Sequence, residues 1–245
     1  MRKLLFFAAF ACIVQNFYGQ EADTIPKSTG GFIISVGPSF PMSDFGADSV
    51  DYDYNYPLDN KALAAGTGIA VNFDYILPLL KNGIGVFIGA GINYNGTKAD
   101  YKENFEKDHL AKYEIEKEYI TYQKYFSIPV STGLNYTHNF NEKIGLFGNF
   151  GIVANILKIT DQEVTFKVGE QTKTYDARTT LGLRIGGGIL LNNKFILSLN
   201  YIDTGNAKIK YERDFVSDNP ILETHHKYSI KSKISYLNLT IGIKL

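Results

Sequence analysis

The stretch from Ser235 to Leu245 constrains the fold more than any other. Leu237, Leu239, Ile241, Ile243 and Leu245 alternate with Tyr236, Asn238, Thr240, Gly242 and Lys244, so one face is aliphatic and the other small or polar. A period of two over this length means a β-strand. A strand half-buried in a soluble protein alternates too, but its wet face usually carries Lys, Glu and Thr. The Gly, Asn, Thr and Tyr found here suit a narrow barrel lumen instead. About 9 to 11 residues of tilted strand cross a bilayer, which is the length of this segment.

The opposite end of the chain points outward from the cytoplasm. Met1, Arg2 and Lys3 precede an unbroken apolar run from Leu4 to Val14, then Gln15 to Gln20 with Gly19 near the end. A charged start, an apolar run and a small-residue site make residues 1–20 a secretory signal peptide. That run is the longest in the chain and falls well short of the roughly 20 residues of a membrane helix. The single cysteine, Cys12, lies inside it, too early for a lipoprotein site, so the mature chain is expected to have neither disulfides nor thiolate metal ligands. Losing Arg2 and Lys3 from 25 basic residues leaves 23 against 25 acidic ones, and nothing favours nucleic acid as a partner.

Residues 21–29 form a short polar lead with no period, expected on the periplasmic side, and the alternation that marks the barrel domain starts at Gly30 and runs to 245. Eight strands can be read. Their apolar faces are Phe32 to Phe40, Ile69 to Leu77, Ile84 to Tyr94, Ile120 to Leu134, Ile144 to Ile156, Leu181 to Leu191, Phe195 to Tyr201, and the terminal segment. Long charged stretches, 41–66, 95–118, 158–176 and 203–228, alternate with short turns at 78–83, 137–142 and Asn192-Asn193, the last with residues that tolerate positive φ. Residues 100–118 fit neither a helix nor extended arms cleanly. Gly, Tyr and Phe are abundant (23, 17 and 17 residues) and Trp is absent, which agrees with an all-β chain.

The expected architecture is an eight-stranded antiparallel up-and-down transmembrane β-barrel. Outer-membrane barrels have short periplasmic turns, long extracellular loops and an even strand number. A lipocalin-like calyx would want charge outside and apolar lining within, and has no reason to alternate its loop lengths. Tyr75, Tyr94, Tyr122 and Tyr201 fall near strand ends on the apolar face, where aromatic girdles belong, although β-propensity alone also favours tyrosine there.

The segment Tyr125-Phe126-Ser127-Ile128-Pro129-Val130, followed by Gly133-Leu134-Asn135-Tyr136, resembles the Tyr-x-x-Ile-Pro strand signature of the PorT-type outer-membrane β-barrel family. The resemblance extends to the plan of signal peptide, eight strands and terminal strand. It implies an integral outer-membrane protein of Gram-negative bacteria and, for most members, no defined biochemical activity; the secretion role of the name-giving member does not carry over from a strand motif. Pro129 costs a ladder hydrogen bond and asks for a bulge or kink. Barrel assembly signals commonly end in an aromatic residue, where this chain has Leu245, and Thr240 stands where Gly is usual.

No catalytic, cofactor-binding or metal site is expected. Asp51, Asp53 and Asn55 open like a calcium loop, but Tyr56 replaces the turn glycine and Ala62 the bidentate Glu. His225, His226, Ser217, Asp214 and Asp218 are the ingredients of a lipid hydrolase or acyltransferase without a spacing that assembles them. His109 and His138 lie in other segments, so no metal cluster is legible. The expected role is structural or surface-interacting, through long loops; the alternative is a porin-like small-solute pore. Expected partners are outer-membrane lipid and lipopolysaccharide, the barrel assembly machinery and an unidentified protein at the loops.

Parity places two charges inside the barrel away from strand ends, Asp74 and Arg184. Arginine cannot shed its charge, so Arg184 needs an acceptor. Strands two and six face each other, which makes Asp74 the first candidate. An axial offset on the order of 10 Å argues against the pair and leaves Lys244 as the runner-up partner for Asp74. Trapped water around each charge is the plain alternative. Lys124 has outward parity and is expected near the loop end of strand four, where its stem can snorkel.

Overall fold

Aliphatic and small polar residues in strict alternation produce strands that can bury their backbone groups only by pairing with neighbours on both sides. In the computed structural model, which describes residues 30–47, 62–80, 82–110, 117–167, 169–217 and 223–245, that pairing closes on itself. The strands are β1 (Gly31–Met42), β2 (Ala65–Pro78), β3 (Ile84–Thr97), β4 (Lys117–Thr121), β5 (Tyr125–Asn139), β6 (Ile144–Ile159), β7 (Gln162–Phe166), β8 (Gly169–Tyr175), β9 (Arg178–Leu191), β10 (Phe195–Ser217) and β11 (Thr224–Lys244). Two short helical elements occur among the described residues: α1 (Ser43–Gly46), and α2 (Ala99–Asn104) with a π-helical continuation over Phe105–Leu110.

The ring runs β11-β1-β2-β3-β5-β6-β9-β10 and returns to β11, every pair antiparallel. These eight strands form the barrel. The stagger can be followed rung by rung. From Phe73 one path passes Ile34, Ile243 and Phe195 to Leu191; the other passes Ala90, Val130 and Ala154 to Leu181. The rung therefore returns to β9 ten residues out of step, a shear in keeping with strands tilted by roughly 35–45°.

The outer face is a belt of Val36, Ile69, Phe73, Ile88, Ile92, Leu134, Phe150, Ile152, Leu183, Leu199 and Ile241, all exposed, with Ile241 at 65% and Leu181 at 78%. A continuous apolar surface around a whole ring is unfavourable in water and favourable in hydrocarbon. Among the described residues no helix is long and apolar enough to cross a membrane. Lys124 lies exposed just before β5, its carbonyl accepting from Thr160 N–H. Asn192 and Asn193 take φ of 52° and 53° in the β9–β10 turn.

Five sequence expectations change. Residues 203–228 continue β10 and β11 as one long hairpin, and 158–176 contains the β7–β8 hairpin, which joins it. Ile120 and Tyr122 are not the start of strand four: residues 117–121 turn aside as β4 and pair with β7, and Ile120 and Tyr122 pack against Phe105 and Val164. Tyr122 therefore belongs to this packing and not to the girdle; its hydroxyl donates to Glu106 at 3.0 Å. Pro129 sits without a bulge. The β3–β5 ladder keeps its register from Ala90↔Val130 to Asn93↔Ser127 and omits the two pairs between, so the missing N–H costs ladder bonds but no extra residue. The signal peptide at 1–20, the lead at 21–29, the Asp51 to Asn55 segment and Asp218 lie outside the described residues.

Candidate functional site

The lumen fills in three levels, built by inward residues of the strands and, at one end, by α1. At the short-turn end Ile33, Ile76, Phe87, Leu190 and Ile196 cluster with Phe147. At the other end Phe45, Leu63, Tyr125, Val153, Leu157, Ile202, Ile209, Ile234 and Tyr236 form a second apolar plug. Phe45 comes from α1, which follows β1 into the barrel mouth and lays its ring edge-on to Tyr125, 5.4 Å between centroids. The helix is held there by Asp44, whose carbonyl accepts from Leu63 N–H at 3.0 Å and whose carboxylate accepts from Lys233 N–H at 2.9 Å. The Tyr125 hydroxyl donates to the Leu63 carbonyl.

Between the plugs lies a polar level around Arg184 and Asp74. Arg184 Nη1 donates to Asp74 Oδ1 at 2.7 Å and Nη2 to Oδ2 at 2.8 Å, a two-pronged contact across the barrel. Nη1 also donates to Ser131 Oγ at 3.0 Å, and Nε and Nη2 donate to Asn200 Oδ1 at 3.3 and 3.1 Å. All five guanidinium donors thus have acceptors, which is the condition for keeping an arginine charged in a place with little water. The plane lies 5.2 Å from the Phe87 ring centroid, so its apolar floor also favours the cation. One side chain on β9 joins β2, β5 and β10.

The ten-residue stagger explains how the two charges meet. On the far wall the level of Phe73 falls midway between Leu181 and Leu191, at Gly186, two residues from Arg184. The arginine stem covers the remaining drop to Asp74. Gly89 makes the room: it pairs with Asp74 on β3, and a Cβ there would collide with Asp74 Oδ1 and lie 2.9 Å from Arg184 Nη1. Sequence reasoning placed Gly89 on the inward face without seeing this role; the signal was a glycine directly across the hairpin from an inward acid. Two more bonds cross the lumen above, Asn238 Nδ2 to Asn93 Oδ1 at 2.8 Å and the Tyr236 hydroxyl to Ser127 Oγ at 3.2 Å. The cavity beside the ion pair measures about 10 Å³, room for about one water.

Beyond the belt, β11-β10-β8-β7-β4 continue as an upright sheet. Its inner face carries Tyr175, Tyr211 and Tyr228, ring to ring at 5.5 and 5.1 Å, with the Arg213 guanidinium 5.4 Å from the Tyr228 centroid. Lys173 lies opposite Arg213 in the ladder. Burial, with the Arg213 charge adding, pushes the Lys173 ammonium down to about 8, and burial pushes the Tyr175 and Tyr211 hydroxyls up.

Among the described residues, those weighed for catalysis do not come together as a serine, histidine and carboxylate set. His225 Nδ1 contacts Asp214 on the outer face of the sheet. Ser217 is three residues along β10 from Asp214 and so falls on the opposite face. His226 is on the inner face near Tyr228, and His138 at the turn end packs edge-on to Phe140, 4.9 Å between centroids. Among the described residues no group of His, Cys, Asp or Glu is arranged to hold a metal.

No family model and no curated protein matches the chain. Among solved structures it is similar to Ail, the attachment invasion locus protein of Yersinia pestis, in complex with the heparin analogue sucrose octasulfate, at 14% identity over 89% of this chain and 100% of that one, TM-score 0.39. It is likewise similar to a major outer membrane protein of Thermus thermophilus, at 14% identity over 89% and 98%, TM-score 0.43. A third likeness is to Neisserial surface protein A, at 10% identity over 89% and 99%, TM-score 0.38. These likenesses are distant, and the barrel assignment rests on the closed ring of strand pairs and the apolar belt.

Proposed function

We propose that the protein is an integral outer-membrane barrel, exported by the signal peptide at 1–20, that holds a β-sheet platform at the cell surface and conducts no solute. The observation that carries this reading is the lumen, stopped by apolar plugs at both ends and bridged between them by the Arg184–Asp74 pair. A pore needs a continuous wet path, and the cavity at the polar level of the lumen measures only about 10 Å³. The work is therefore assigned to the sheet above the belt, whose exposed outer face, with Glu212, Lys227, Asp214 and His225, offers a contact surface to a partner. No reaction is assigned to it. Within outer-membrane barrels we place the chain with the PorT type, on the Tyr125 to Val130 segment, whose tyrosine and proline both stand on the inward face of β5.

Impermeant thiol labelling of intact cells tests the orientation. Glu212→Cys, on the platform, is expected to label, and Asn141→Cys, in a short turn, to label only after the envelope is opened. The reverse pattern would place the platform in the periplasm and remove the surface role.

A further inference from the structure

The outer face of the β10–β11 hairpin is a ladder of charges, most of which are neutralised in pairs. Lys233 Nζ meets Asp203 Oδ2 at 2.9 Å, Lys227 Nζ meets Glu212 Oε1 at 2.7 Å, and His225 contacts Asp214. The rungs between them break the rule. Lys208 stands directly across from Lys231, and Lys210, on the next outward rung, faces Ser229. All three lysines are exposed, and no carboxylate of the described residues comes within 4.0 Å of any of them. Like charges directly opposed across a strand pair are unfavourable unless an anion comes between them.

The position of this cluster says which anion. The bulge between Asp203 and Asn206, with Gly205 at φ 76°, ends the apolar run Leu197, Leu199, Tyr201 and restarts the alternation one residue out of step. That slip turns Lys208 and Lys210 outward, away from the barrel axis, while Ala207 and Ile209 turn into the plug. The three lysines therefore lie on the exposed outer face just beyond the bulge that ends the apolar run, where flexible stems can reach toward a headgroup layer. The surface that carries them continues, along β10 and β11, the membrane-facing belt of Leu197, Leu199, Leu239 and Ile241.

We propose that Lys208, Lys210 and Lys231 form a clamp for the phosphate groups of lipids in the leaflet surrounding the barrel. The clamp rests on the membrane reading above. It selects phosphate-monoester or multiply charged headgroups over zwitterionic ones, because three converging cations favour the higher charge. It also fixes the height and tilt of the platform over the membrane.

The test uses the full mature chain reconstituted in vesicles of phosphatidylcholine with a minority of phosphatidic acid. Lipid retained by the extracted protein is counted by native mass spectrometry. Wild type is expected to retain phosphatidic acid over its share in the vesicle, and the preference to fall about fivefold for each lysine removed in Lys208→Gln, Lys210→Gln and Lys231→Gln. Lys227→Gln, which opens the Glu212 pair instead, is expected to keep it. Equal retention of the two lipids by wild type, or an unchanged preference in the triple variant, would overturn the clamp. So would displacement of the lipid by excess inorganic phosphate, which would make the site one for free anions. Failure to insert into phosphatidylcholine alone would instead overturn the membrane reading itself.

Discussion

At the scale of single residues, Arg184 and Asp74 are a buried pair whose value depends on both partners being present. Their side chains are 4% and 11% exposed. Arg184→Ala leaves a carboxylate stranded beside Phe87, and Asp74→Ala leaves a guanidinium with Asn200 and Ser131 alone. Each is expected to destabilise the barrel by about 3–5 kcal/mol, while replacing both with apolar residues of similar volume restores much of the loss. Urea unfolding in lipid vesicles, read as a double-mutant cycle, checks this; additive single losses would show that the pair acts as two separate charges. Gly89→Ala makes a sharper case, since its only change is a methyl group driven into the pair. It is expected to cost about 1–3 kcal/mol in wild type and far less in the background where Asp74 and Arg184 are already apolar. An equal cost in both backgrounds would assign the glycine to backbone reasons instead. Parity alone marks the two charges and the glycine as inward-facing. What brings them together is the stagger between strands far apart in the chain, and no local sequence pattern records a stagger.

At the scale of elements, the barrel strands are legible because each repeats aliphatic-out and small-polar-in without interruption. The platform is not, for a physical reason that one bulge illustrates. After Asp203 the chain inserts one extra residue, so Ala207, Ile209 and Tyr211 face inward where the earlier parity would have put them outward. A reader following one parity sees the pattern dissolve into charge, when the period has only slipped. The β4 segment misleads in another way: Ile120 and Tyr122 keep the parity of Phe126, yet they satisfy a local cluster with Phe105. The platform also carries a pH signature. Lys173 ionises at about 8 when folded against 10.5 when free, so between those values the unfolded platform binds more protons than the folded one. Stability therefore rises with pH from about 8 and falls again above about 10, where unfolded tyrosines ionise while Tyr175 and Tyr211 stay protonated. Amide exchange of β8, corrected for intrinsic rates, is expected to slow over the lower window in wild type and to lose that dependence in Lys173→Met. Protection that falls steadily from pH 8 would mean that Lys173 stays charged in the folded sheet.

At the scale of the whole molecule, two solvents organise the chain. Hydrocarbon suits the belt, and side chains fill the lumen at three levels, so in the proposed function the barrel is an anchor with its face in the leaflet and its platform above. The central claim is that this barrel does not conduct, and planar-bilayer recording of the purified protein tests it most directly. Wild type is expected to give no stable unitary current, whereas Arg184→Ala, with the bridge gone and the polar level opened, gives intermittent openings at most because the two apolar plugs remain. Sustained, well-defined channels from wild type would contradict the account and return the protein to the class of small-solute pores.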